Sequence, residues 1–195
     1  MSLRIEVAEL GLASLDALDV DAVAVLVGPE RPLQGLAGWV DWRLCGAISR
    51  AILDGHFAPE KGEALLLPSA RRLGPARVFC FGLGPEALDA AGFAAAARKA
   101  CDAMARAGSA SFATALPALA GGEGSHVAAR LWLEASLRHP FARQVLLGEA
   151  RALHRDLGAA RQSLSAPVEV AAAQARVEPP PRGAAGLPGK SPVVR

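Results

Sequence analysis

The run Ala120-Gly121-Gly122-Glu123-Gly124-Ser125 is the most suggestive chemical feature of the chain. It joins an apolar β-like stretch, SFATAL at 111–116, to a helical pattern opening at Ser125. A helix N-terminus presents outward N–H groups and the positive end of a dipole, so a loop in this position suits an anion. Three glycines let a phosphate approach the backbone closely, which makes Gly121, Gly122, Gly124 and Ser125 the candidate phosphate-loop residues. Against this, Glu123 brings a negative charge to the same loop, and strand-to-helix connections also use glycine for shape alone.

Other motifs weaken on inspection. Gly82-Leu83-Gly84-Pro85-Glu86-Ala87 fits the dinucleotide pattern GxGxxA between a strand and a helix. Pro85 removes one N–H from the expected first helical turn, and no acid stands about 20 residues on at a strand end, where that motif needs one. His154-Arg155-Asp156-Leu157 mimics a kinase catalytic loop, but the Asn required five residues after the Asp is Arg161 here. The four histidines are scattered without metal-ligand spacing. Ser125 has no assignable base, so no catalytic residue, metal ligand or cofactor is expected. Cys45, Cys80 and Cys101 form no CxxC pair and sit in apolar runs, where a thiol packs as a small hydrophobe. Trp39 and Trp42 either anchor a partner or, as the bulk of a tryptophan favours, pack beneath a strand.

The elements that would position these residues alternate. RIEVAEL (4–10), DAVAVLV (21–27), EALLLP (63–68), RVFCFGLG (77–84), SFATAL (111–116) and RQVLLG (143–148) read as strands, several of them near-continuous apolar runs of the kind buried on both faces. Apolar residues Leu36, Val40, Leu44, Ile48 and Ile52 recur every fourth position and predict one helix over 35–54. Further helices are predicted from Pro85 to Gly108, over 125–139 and over 150–164, while residues 167–173 read equally as strand or helix. Such alternation predicts a three-layer α/β/α domain with a mixed, mainly parallel sheet. A domain over 1–165 and a Pro/Gly-rich tail over 166–195 are expected, since VEPPPRGAAGLPGKSPVVR (177–195) has a composition that builds no packed element.

Composition narrows the partners. The formal charge is only +2 over 195 residues, too little for a dedicated nucleic-acid domain, so no DNA is expected. Arg176, Arg182, Lys190 and Arg195 outnumber the single acid Glu178 near the C-terminus, so the basicity belongs to the tail. No run approaches 18 uncharged apolar residues and no signal-peptide pattern opens the chain, which predicts a cytoplasmic protein without a membrane span.

Taken in order, these residues resemble the N-terminal domain of the leucyl (cytosol) aminopeptidase family over about residues 4–165. The resemblance rests on Asp21, Arg31-Pro32-Leu33, Gly35-Leu36-Ala37-Gly38, Asp41, Ser49-Arg50-Ala51, Gly55, Phe57, Lys61-Gly62-Glu63, Leu66-Leu67-Pro68 and Arg77-Val78 leading into Gly82-Leu83-Gly84. That domain is in turn similar to macro domains, which bind ADP-ribose in other proteins. The resemblance would place Gly121–Ser125 at the phosphate loop and Gly35–Gly38 at a ribose-side loop, with Gly35 and Gly38 as candidate ligand residues. It also implies that peptide hydrolysis belongs to a separate dimetal domain marked by an Asn-Thr-Asp-Ala-Glu-Gly-Arg-Leu run. This chain contains no Asn, and its one Thr, Thr114, falls in a strand. The expectation is a stand-alone, non-catalytic module with a homo-oligomeric or protein partner; the alternative is a module binding ADP-ribose or another nucleotide-like anion.

Overall fold

The computed structural model describes residues 2–122 and 124–173. Seven strands form one sheet in the order β3-β4-β2-β5-β6-β1-β7. They are β1 (Leu3–Glu9), β2 (Ala22–Val27), β3 (Ala64–Pro68), β4 (Arg77–Gly82), β5 (Ser111–Thr114), β6 (Arg143–Gly148) and β7 (Val168–Ala172). All run parallel except β3, which pairs antiparallel with β4 at one edge. Pairing β2 with both β4 and β5 puts the point where the winding changes direction at the middle of the sheet.

Side-chain alternation along each strand divides the core in two. Ala22 and Ala24 of β2, Phe81 of β4, Phe112 of β5 and Leu146 of β6 face α4 (Ala90–Arg106), α5 (Ser125–Ser136) and α6 (Ala150–Ser163). The intervening Val23, Val25, Val27, Val78, Cys80, Ala113, Val145 and Leu147 face α1 (Leu12–Asp16), α2 (Gly35–Arg43) and α3 (Ala47–Leu53). The result is the three-layer, mainly parallel α/β architecture that alternation of strands and helices implies. Asp21 locks the centre, accepting from the N–H groups of Ala110 (2.9 Å) and Ser111 (2.8 Å) at the start of β5.

Several expectations are corrected. The helix over 35–54 is two helices, broken where Cys45 (φ 54°) and Gly46 (φ 78°) turn left-handed. Asp41 of α2 then accepts from the N–H groups of Ile48 (2.8 Å) and Ser49 (3.1 Å), capping α3 from its neighbour. The helix expected from Pro85 begins at Ala90, because the Asp89 carboxylate accepts from the Gly92 N–H at 2.7 Å and supplies a true N-cap. Strand β3 is not buried on both faces: it is an edge strand, and Leu66 is 54% exposed because no helix covers its second face. Val168–Ala172, within the stretch that read equally as strand or helix, is a seventh strand that pairs with β1 and buries Val168. The rest of the expected tail, 174–195, and Glu123 lie outside the described residues. Among the described residues no helix is long and apolar enough to cross a membrane.

Candidate functional site

Parallel strands leave their C-terminal ends on one side of the sheet, and the connections leaving them must diverge to opposite faces at the switch point. A cleft of about 570 Å³ opens there. Its floor and walls come from residues just past the ends of β1 (Leu10), β2 (Gly28–Glu30), β4 (Leu83) and β5 (Ala115–Ala120) and from the last two residues of β6 (Leu147, Gly148), with the first turn of α2 and the segment Pro85–Leu88 closing it. Leucines dominate the lining.

The chemistry of the cleft is set by what is polar in it. Gly35, Leu36 and Ala37 form the first turn of α2, and its N-cap Gln34 makes no side-chain cap bond, so these N–H groups have no helical acceptor and lie at the cleft. Among the described residues, the charged side chains in the lining are both acids, Glu30 and Glu86. Lys61 donates to Glu86 at 2.6 Å, a bond that raises the Lys61 pKa and lowers that of Glu86. Glu30 has no ion-pair partner among the described residues and folds back over Gly28, where even a Cβ would lie 2.2 Å from its carboxylate. Arg31, the next residue, turns its guanidinium onto the carbonyl oxygens of Gly28 (3.1 Å) and Glu30 (2.7 Å). Among the described residues, no Lys, Arg or His lines the cleft.

The structure separates the sequence-derived candidates. Gly35 lines the cleft. Gly38 instead packs against the backbone of Leu33, whose oxygen a Cβ would meet at 2.4 Å, and it lines a second depression with Asp41, Trp42, Cys45 and Arg72. Gly121, Gly122, Gly124 and Ser125 are not in the cleft lining, which ends at Ala120. Gly121 and Gly122 have φ of 77° and 74° with open space around them, so a turn geometry that disfavours a Cβ accounts for both. The Ser125 hydroxyl donates to the buried carboxylate of Asp156, joining α5 to α6. Asp156, from the kinase-like tetrapeptide, is thus a helix-to-helix tie.

The GxGxxA segment likewise serves packing. N–H groups of Gly82, Leu83 and Gly84 donate to Glu63, Val27 and Pro59 oxygens, so none is left for a pyrophosphate. A Cβ on Gly82 would sit 2.2 Å from the Glu60 oxygen. Of the thiols, Cys80 and Cys101 are buried, and burial pushes both up to about 12; Cys45 is exposed, contrary to the core packing expected for all three. Trp39 and Trp42 do not pack beneath a strand: they are 38% and 60% exposed on α2. No group of three or more His, Cys, Asp and Glu is placed to hold a metal ion among the described residues.

Residues that sequence motifs missed, Glu30, Gln34, Leu36, Leu88 and Leu119, share one signal. Each stands in a loop or first turn following a strand that runs to the cleft end of the sheet.

This α/β fold resembles that of macrodomains, as solved structures show. The Trypanosoma brucei macrodomain in complex with ADP-ribose superposes with a TM-score of 0.59 at 15% identity, over 78% of this chain and 67% of that one. The macrodomain of Mycobacterium tuberculosis DarG gives 0.55 at 17% identity, over 73% and 97%. A mutant tomato leucine aminopeptidase gives 0.58 at 16% identity, over 84% of this chain and 36% of that one, so the chain spans about a third of that enzyme's length. No curated protein matches the chain. The family model described as cytosol aminopeptidase family, N-terminal domain, matches residues 24–138, more than half of the chain. The chain belongs to that family, through its N-terminal domain.

Proposed function

We propose that this domain is a non-catalytic recognition module of the cytosol aminopeptidase family, acting in the cytoplasm, whose cleft receives a polypeptide segment rather than a nucleotide. The observation that carries the reading is the lining itself: among the described residues it has leucine walls, two acids and no basic side chain. A pyrophosphate brings at least two negative charges, and Glu30, which no described cation pairs, would repel them, while Glu86 is held by Lys61. A basic or neutral segment with apolar side chains meets both the walls and the charge. The exposed Trp39 and Trp42 provide a second surface for a protein partner or another copy.

One feature favours the alternative of a nucleotide-like anion: the uncapped N–H groups of Gly35, Leu36 and Ala37 at the cleft. Thermal unfolding with ADP-ribose separates the two, because a ligand that binds only the folded state raises the melting temperature by mass action. The recognition reading expects no shift at millimolar ADP-ribose. A saturable rise abolished by Gly35→Glu would overturn it. Leucyl-anilide cleavage with added manganese or zinc is expected to be absent; robust turnover would refute the non-catalytic assignment.

A further inference from the structure

The strand directions fix where the described chain ends. Strand β7 runs parallel to β1, and the Ala173 N–H donates to the Val7 oxygen, so the described chain ends at the C-terminal end of the sheet. That is the end at which the cleft opens, and Leu10, which follows β1, already belongs to its wall. From β7 to β2, on the far side of the cleft, is four strand spacings, about 20 Å. The 22 residues of 174–195 can span roughly 70 Å when extended, so they reach every part of the cleft with length to spare.

Charge and composition match as well. Residues 174–195 carry Arg176, Arg182, Lys190 and Arg195 against Glu178, while the described lining carries Glu30, Glu86 (paired with Lys61) and no basic residue. Leu187, Pro188, Val193 and Val194 supply apolar side chains for leucine walls. Their backbone carbonyls can accept from the uncapped N–H groups at the start of α2. We infer that residues 174–195 of this same chain seat in the cleft, basic side chains toward Glu30 and Glu86, as an intramolecular occupant that an outside segment must displace. This rests on the reading that the cleft takes a polypeptide.

The scarcity of lysine makes a direct test available in the full chain. Lys61, Lys99 and Lys190 are the only lysines. Zero-length carbodiimide cross-linking of the wild-type protein, mixed from isotopically light and heavy chains, is read by mass spectrometry. The Lys61–Glu86 pair at 2.6 Å is the internal control. The inference expects Lys190 joined to Glu30 or Glu86 within light–light and heavy–heavy species only. It also expects amides of Gly35–Ala37 to exchange about tenfold faster in Arg182→Glu/Lys190→Glu, restored by adding Glu30→Lys. Mixed light–heavy links would assign the cleft to a second copy and overturn the intramolecular claim. No Lys190 link to either acid, with exchange unchanged in the double variant, would overturn it outright. ADP-ribose, titrated into wild type and double variant alike, keeps the two failures apart. A melting shift in either removes the polypeptide reading itself; none in either leaves that reading intact while the cross-links decide the occupant.

Discussion

The two faces of the sheet are built to different standards. One is covered by α4, α5 and α6, helices of 17, 12 and 14 residues, over a core in which Phe93 and Phe112 pack on Trp132 and Phe112 also meets Phe141. The other is covered by α1, α2 and α3, of 5, 9 and 7 residues, and α2 and α3 leave Trp39, Trp42 and Leu53 in solvent. The short helices still close their side of the sheet, since Val23, Val25, Val27, Val40, Ile48 and Val78 are fully buried there. Both faces therefore supply stability. The second also supplies a cleft wall, through the start of α2, and an exposed aromatic surface.

Substitutions of one residue type on both faces should break that contrast if it is wrong. Trp132→Ala removes a fully buried indole whose Nε1 donates to Gln144 at 2.9 Å, and it is expected to cost about 3–5 kcal/mol in chemical denaturation. Trp42→Ala, on the short-helix face, should stay within about 0.5 kcal/mol. Equal losses would mean that Trp42 is packed as tightly as Trp132. Next in size is Asp156→Ala, which leaves the Ser125 hydroxyl without its acceptor between α5 and α6; about 1–3 kcal/mol is expected, with no change at the cleft.

Acid should act more weakly. Burial disfavours the charged form of Asp21, but the backbone and hydroxyl bonds from Ser111 and the N–H of Ala110 outweigh it, so its pKa lies below the ordinary 3.8. A carboxyl depressed in the folded state contributes stability fully above its unfolded pKa and loses it as pH falls through the folded value. Asp21→Asn should therefore flatten the stability profile below about pH 4, by less than about 1 kcal/mol because the group is largely exposed. The smallest effect is chemical labelling. With Cys80 and Cys101 pushed up to about 12 and buried in the two core layers, one thiol of three, Cys45, should react at pH 8 in the native protein.

Much of the scaffold was legible because burial on both faces leaves a mark in the sequence. DAVAVLV and RQVLLG read as strands, and both lie inside the sheet. The break between α2 and α3 was hidden for a physical reason. The every-fourth apolar spacing runs through Cys45 and Gly46, and a non-glycine left-handed residue has no sequence signature. The Trp pair misled because size and apolarity say nothing of which side of a helix meets the sheet. At the candidate site, spacing alone could not join Ser125 to Asp156, 31 residues away, or show that Ala120 is the described residue of the glycine-rich run that lines the cleft. The cleft itself was nearly silent, since leucines and backbone N–H groups make up most of it and neither stands out as chemistry.

The most direct test of the account is the response of the cleft to a nucleotide diphosphate. With ADP-ribose titrated to millimolar concentration, the account predicts an unchanged melting temperature and unchanged amide signals at Gly35, Leu36, Ala37, Leu119 and Ala120. Saturable shifts of those amides, with a matching rise in melting temperature, would contradict it and return the cleft to anion binding.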